Sequence, residues 1–428
     1  MQLRTILSKT FKTKELRKKI LFVIFLLVIF RIGAHISIPG VDASQLQVLF
    51  DQNQALGLLN VFSGGALQNF SIMMLGVGPY ITASIIFQLL QMIVPRLEEM
   101  AKEGGVGQQK IQQWTRWLSV PLAAAQGYAT INLLQSSAGS QSILAAFSFM
   151  DWVVAITAVV GGSLFLMWIG ELISEQKIGN GVSLVIFAGI VASLPSIVQQ
   201  LLVSFDSSQI PSFLGFAVIM LVTIIAVVFV TEAYRNIPIS HARHHAQNGQ
   251  QNSQLPLRVN QAGVIPIIFA VSLIVMPQLA AQYALQMNIF PTLANAYNSV
   301  ISFMNNQFNY GAIYFLLVVI FTYFYTAVVF HPDRIAENLQ RGGSFIPGVR
   351  PGKQTVEYLT FISNRIVLAG AVFLGLIAVL PIVVQGALGG SFQNIAVGGT
   401  SLLIVVSVAL ETIKQLEAQL LLRNYEYL

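Results

Sequence analysis

Residues 59–95 read LNVFSGGALQNFSIMMLGVGPYITASIIFQLLQMIVP. The stretch falls into two unequal parts. Residues 59–70 are apolar at both ends around Ser63-Gly64-Gly65. As a helix they would reach only about 18 Å at roughly 1.5 Å per residue, short of a bilayer core of about 30 Å. Residues 71–94 are long enough to cross, but hold Gly76, Gly78 and Pro79 in their first half. Backbone breaks at membrane depth are tolerated where protein or a water-filled cavity supplies hydrogen-bond partners, not where lipid does. The stretch therefore predicts a half-inserted segment followed by a span whose start lines something. The plain alternative is a re-entrant loop packed as filler.

The rest of the chain supports a membrane setting. Of 428 residues, 55% are hydrophobic and 9% charged, against about 25% charged in a typical soluble domain. Long apolar runs recur, as in a polytopic membrane protein. There is no cysteine, which excludes a disulfide framework, a thiolate metal site and a cysteine nucleophile. Residues 20–37 follow a basic run but are too long for a signal-peptide core and lack a small-residue cleavage site, so they read as a retained first span.

Charge then sets the topology. The intervals 32–95, 117–176, 178–234, 259–333 and 366–413 contain no Lys or Arg. Each is long enough for two spans and a connection. By the positive-inside rule each leaves the cytoplasm and returns. This predicts ten spans with both termini cytoplasmic, near 20–38, 71–94, 117–134, 152–173, 182–202, 213–231, 259–278, 310–330, 366–384 and 401–421. An odd number would put a basic cluster on the wrong face. The fold class is thus all-α, with an N-terminal half at 1–204 and a C-terminal half at 205–428, five spans each. Five spans leave the chain outside, so the halves are inverted, an arrangement that places a path between them. Long inside connections at 232–258 and 331–354 are expected to be functional.

Chemistry is sparse. Arg31 lies inside the first span, where facing lipid would cost about 2.5–3.5 kcal/mol; it must face protein, water or a carboxylate, most simply a buried charge pair. Glu171 and Glu175 read as an interfacial pair near Lys177, and Glu411 as an ion-pair partner of Lys414 three residues on. His241, His244 and His245 have clip-like spacing, but no carboxylate or cysteine accompanies them, so no metal site is expected. No P-loop follows Gly342-Gly343 or Gly389-Gly390, and no cofactor or catalytic residue is expected. What remains is aliphatic: Val77 and Ile81 share a face of span two, Ile186 and Ile190 a face of span five, Ile268 sits beside Pro266, and Ile404 lies near the start of span ten. Taken singly, each reads as packing or lipid-facing.

Several long motifs occur in order along nearly the whole chain. They include Phe30-Arg31-Ile32-Gly33, Phe62-Ser63-Gly64-Gly65-Ala66-Leu67, Gly78-Pro79-Tyr80-Ile81-Thr82-Ala83-Ser84-Ile85-Ile86 and Ile178-Gly179-Asn180-Gly181. Val259-Asn260-Gln261-Ala262-Gly263-Val264-Ile265-Pro266, Pro347-Gly348-Val349-Arg350-Pro351-Gly352 and Gly398-Gly399-Thr400-Ser401-Leu402-Leu403-Ile404 follow. In these the chain resembles the SecY family, the channel subunit of the bacterial protein-translocation complex. The resemblance implies an hourglass pore between the halves, with residues 59–70 as its plug (Phe62, Ser63, Gly64, Gly65, Ala66 and Leu67). Val77, Ile81, Ile186, Ile190, Ile268 and Ile404 then fall at the pore ring. Gln88 and Asn260 fall at a lateral gate between spans two and three and spans seven and eight, where signal sequences and membrane segments leave for lipid. Arg243, Arg258 and Arg350 would contact partners. The implied partners are the SecE and SecG subunits, the motor SecA, the ribosome and the translocating polypeptide, at the bacterial inner membrane. The rival reading is an inverted-repeat secondary transporter of small solutes, which would need polar groups at mid-membrane. The chain departs from the expected family pattern in a His- and Gln-rich loop after span six, in Val77 where isoleucine is commoner, in Lys177 where a glycine often stands, and in a tail to Leu428 with no basic extension.

Overall fold

A computed structural model describes residues 13–39, 60, 63–137, 148–203, 210–241, 253–286, 294–388 and 398–426. In the first part of the chain the helices are α1 (Lys14–Gly33), α2 (Gly78–Ile93), α3 (Pro95–Lys102), α4 (Gly105–Ser137), α5 (Phe149–Glu175) and α6 (Gly181–Val203). After α7 (Ile210–Glu232) come strands β1 (Tyr234–His241) and β2 (Ser253–Arg258). Then follow α8 (Ile265–Gln286), α9 (Ala294–Asn305), α10 (Gln307–Val329), α11 (Pro332–Arg341), β3 (Ser344–Phe345), α12 (Lys353–Leu388) and α13 (Gly398–Glu426). The helices α1, α2, α4, α5, α6, α7, α8, α10, α12 and α13 fall on the ten expected spans.

Among the described residues, three helices are by length and composition long and apolar enough to cross a membrane, and a fourth if the bent pair α2 and α3 is one span. Other apolar runs, Gly181–Pro195, Ala217–Glu232 and Ile265–Ile274, are shorter.

Boundaries differ from expectation where glycine, proline or polar residues intervene. The first helix stops at Gly33, not at 38; Ile38 lies beyond it, where its N–H donates to the Phe70 carbonyl at 2.9 Å. Residues 71–77 are turns, and α2 begins only at Gly78 with Pro79 in its first turn, where a missing N–H costs nothing. Gly76 has φ +58°. Its carbonyl accepts from Ser163 Oγ at 3.1 Å. Gly162 lets the Ile72 carbonyl lie against α5, where a methyl group would overlap it. The break is thus supplied with partners by protein. Pro95 ends α2, and the chain turns by 107° into α3. The seventh expected span starts at Ile265, not 259, because Gly263 at φ +64° breaks the entry.

Within the first group of helices, α2 packs on α4, α4 on α5, α5 on α6, and α1 lies against α5 and α6. In the second, α8 packs on α10, α10 on α12, and α13 on α7 and α12. The two groups meet along two seams, α8 against α2 and α4, and α13 against α6.

The two long connections join in one sheet of order β2-β1-β3. Strands β1 and β2 form a hairpin from Tyr234↔Arg258 outward, and β3 pairs with Ser240 and His241 at the hairpin's far end. Ile237, Leu257, Ile346 and Leu359 are buried beneath it.

The expected ion pairs are rearranged. Glu171 pairs with Arg116 of α4 at 2.7 Å, rather than working with Glu175 beside Lys177. Lys414 reaches Glu232 at 2.7 Å and the Tyr234 hydroxyl at 2.6 Å. Glu411 instead accepts from Gln415 at 3.5 Å. Arg31 forms no charge pair among the described residues; its Nη1 donates to the Gly64 carbonyl at 2.8 Å.

Candidate functional site

The six aliphatic residues come from separate elements. Val77 precedes α2 and Ile81 lies one turn into it. Ile186 and Ile190 sit one turn apart on α6, Ile268 is in the first turn of α8, and Ile404 lies near the start of α13. All are between 0 and 7% exposed and belong to one contiguous buried cluster. Ala66, from the glycine-rich stretch, is in the same cluster, which runs on through Phe269 and Val271 of α8 to Tyr314 of α10. By contrast, Leu21 and Phe25 of α1 are 55% and 59% exposed. None of the six side chains carries a hydrogen-bonding group, so their packing sets no directional demand on whatever touches them.

The stretch above them is ordered differently. Ser63, Ala66 and Leu67 are buried and Gly65 half-buried. Asn60 binds Gln68 twice: its Oδ1 accepts from the Gln68 N–H at 3.0 Å and its Nδ2 donates to Gln68 Oε1 at 3.1 Å. Ser63 Oγ donates to the Asn60 carbonyl at 2.9 Å and accepts from the Leu67 N–H at 3.1 Å. Phe62 lies outside the described residues.

Gln88, on α2, donates to Ser84 Oγ at 3.1 Å. Asn260, just before α8, donates to the Gly263 carbonyl at 3.2 Å. Among the described residues Gln88 Oε1 and Asn260 Oδ1 are buried and without a hydrogen-bond partner, as is Gln261 Nε2, next to Asn260 in sequence. A buried orphan of this kind costs about 1–3 kcal/mol; Gln88 lies on α2, while Asn260 and Gln261 precede α8, where the Asn260 backbone lies against Gly370 of α12.

Two of the three arginines can be placed. Arg258 is at the root of the hairpin, 6.0 Å over the Tyr234 ring. Arg350 is exposed in the turn after β3, beside the hairpin's far end, with its carbonyl accepting from Thr355 Oγ1 at 2.9 Å. Arg243, like His244 and His245, lies outside the described residues. The sheet that gathers these loops was missed by the sequence reading, although Ile237 with Ile239 and Leu255 with Leu257 carry the period-two signal of strands.

The model of the SecY family matches residues 71–413. The chain belongs to the SecY family. It is 41% identical over 447 residues to "Protein translocase subunit SecY" of Streptomyces scabiei, covering 99% of both chains. It is 42% identical over 440 residues to the protein of that name in Corynebacterium glutamicum, covering 98% of both. Solved structures share the fold at lower identity. One described as "The structure of a protein conducting channel" matches with a TM-score of 0.65 at 19% identity, covering 98% of this chain and 97% of that one. One described as "Sec61 in the Canine ribosome-channel complex from the endoplasmic reticulum" matches at 0.62 and 18%, with coverages of 98% and 97%. Membership in the SecY family favours a protein-conducting channel over the small-solute transporter.

Proposed function

We propose that this SecY-family chain crosses the cytoplasmic membrane ten times, in two inverted halves at 1–204 and 205–428, with both termini cytoplasmic. An unfolded polypeptide passes between the halves. The observation that carries this reading is the burial of six aliphatic side chains from four separate places in the sequence into one cluster at the meeting of both groups of helices. A ring without fixed hydrogen-bonding demand closes around any sequence and can dewet against ions. Polar groups there would hold some substrates and stall them.

Residues 59–70 act as the plug. The seam carrying Gln88 and Asn260 acts as the lateral gate, its orphaned polar atoms finding partners when the seam parts for a signal sequence or membrane segment. The exposed Arg350 is the main docking contact for SecA or the ribosome, with Arg243 and Arg258 contributing; contacts to ribosomal RNA phosphate would be salt-sensitive. SecE and SecG complete the assembly. The energy for movement comes from the motor or the ribosome, and the chain itself is a passive, gated conduit.

Reconstituted with its accessory subunits in liposomes, the chain should render a signal-bearing precursor protease-resistant when SecA and ATP are added. Small-solute uptake without precursor protection would contradict the reading.

A further inference from the structure

We infer that Arg31 is a latch, and that together with a glycine–glycine contact between Gly64 and Gly189 it holds the plug shut. The inference rests on the plug reading of residues 59–70 and names the contacts that keep that segment seated.

Asn60 and residues 63–68 are cross-braced through the side chains of Asn60, Ser63 and Gln68, so they tend to move as one piece. Their far end is stapled to the strand-like segment after α1. Ser37 bridges Ser71, the Ile38 N–H donates to the Phe70 carbonyl at 2.9 Å, and the Ile72 N–H donates to the Ile36 carbonyl at 3.0 Å. Phe70 sits there at φ +44°, unusual for a non-glycine residue. That end is a fixed anchor with a sharp turn beside it.

The near end is held differently. Among the described residues, the hydrogen bond tying it to a distant segment is a single side-chain bond, Arg31 Nη1 to the Gly64 carbonyl at 2.8 Å. Arg31 stands in the last turn of α1, where a cation also suits the helix dipole. Beside this bond two backbones touch. A Cβ at Gly64 would come within 2.7 Å of Gly189 Cα and 2.9 Å of Phe30 Cζ. A Cβ at Gly189 would come within 2.6 Å of Gly64 Cα. Gly64 has φ +71°, a conformation that glycine adopts freely. Neither glycine can take a side chain without displacing the other.

The geometry divides the segment into an anchored hinge and a released end. One charged hydrogen bond and one backbone contact, beside the burial of Ala66 and Leu67, hold this end in the closed position. A bond of this kind is strong enough to bias the resting state and few enough in number to yield to an arriving chain.

The test measures resting ion conductance of the reconstituted assembly in planar bilayers, without motor or precursor. The variants are Arg31→Met, Gly189→Ala and deletion of residues 59–70. All three should raise leak several-fold, and the two point variants should also pass precursors with defective signals, which a merely weakened fold would not do. If the deletion leaks while both point variants seal like the parent, the latch is wrong and the plug reading survives. If the deletion does not leak, the plug reading itself falls. Should Arg31→Met fail to accumulate, Gly189→Ala decides. Alanine is the better helix former, so a folded chain is expected and an unchanged leak overturns the latch.

Discussion

The proposed waist and the proposed plug segment are held by different mixtures of contacts. Around Val77, Ile81, Ile186, Ile190, Ile268 and Ile404 the contacts are aliphatic and non-directional. In residues 63–76 the apolar packing of Ala66, Leu67, Phe70, Met73 and Met74 is joined by backbone and polar contacts: Arg31 to Gly64, Ser163 to Gly76, and Asn60 to Gln68. The first kind of contact can be stretched and remade around any side chain at a cost that scales smoothly with exposed area. The second kind is made or broken in discrete steps. On the proposed reading, a gate that must accept every sequence yet stay shut at rest needs both, with tolerance at the waist and a threshold at the seal.

The largest expected effect lies outside both regions and tests whether they are separable from the driving machinery. Arg350→Glu should abolish motor- or ribosome-driven export while resting leak and signal discrimination stay at the parent level. Wild-type export would remove Arg350 from the docking site, and a changed leak would tie the cytosolic sheet to the seal. Next, deleting residues 59–70 should raise ion conductance strongly; unchanged conductance would show that the segment seals nothing. A smaller effect is expected for Ile404→Asn. Burying an amide among aliphatic neighbours should cost the closed state about 2–4 kcal/mol, letting defective signal sequences pass. Unaltered export specificity would take Ile404 out of the waist.

The smallest effect concerns a departure from the family pattern. Lys177 occupies φ +57°, a region that disfavours a side chain by about 1–2 kcal/mol. Its carbonyl accepts from Gln419 Nε2, which ties the α5–α6 turn to α13. Lys177→Gly should therefore raise the melting temperature in detergent slightly and leave transport unchanged. A lower melting temperature would mean that the lysine makes a compensating contact.

The helices were legible because lipid imposes a simple rule on charge. Five intervals free of Lys and Arg predict ten spans, and ten helices coincide with the expected span positions. The ends of α1, α2 and α8 were misplaced because hydropathy does not register where Gly33, Gly76 or Gly263 interrupts the backbone. The six aliphatic residues were legible only through the family motifs, since one isoleucine in a span looks like any other. The partner of Arg31 was not legible at all: it is a carbonyl 33 residues away, and side-chain patterns do not report carbonyls. The three-stranded sheet was hidden for a related reason. β1 and β3 are about a hundred residues apart in the chain, and their pairing is backbone to backbone.

The most direct measurement uses the absence of native cysteine. Single cysteines at the six waist positions, and at the exposed Leu21 and Phe25 as controls, are crosslinked to a secretory chain stalled in transit. Adducts at all six and none at the controls are expected. Adducts spread evenly over both sets, or confined to the controls, would contradict a shared constriction.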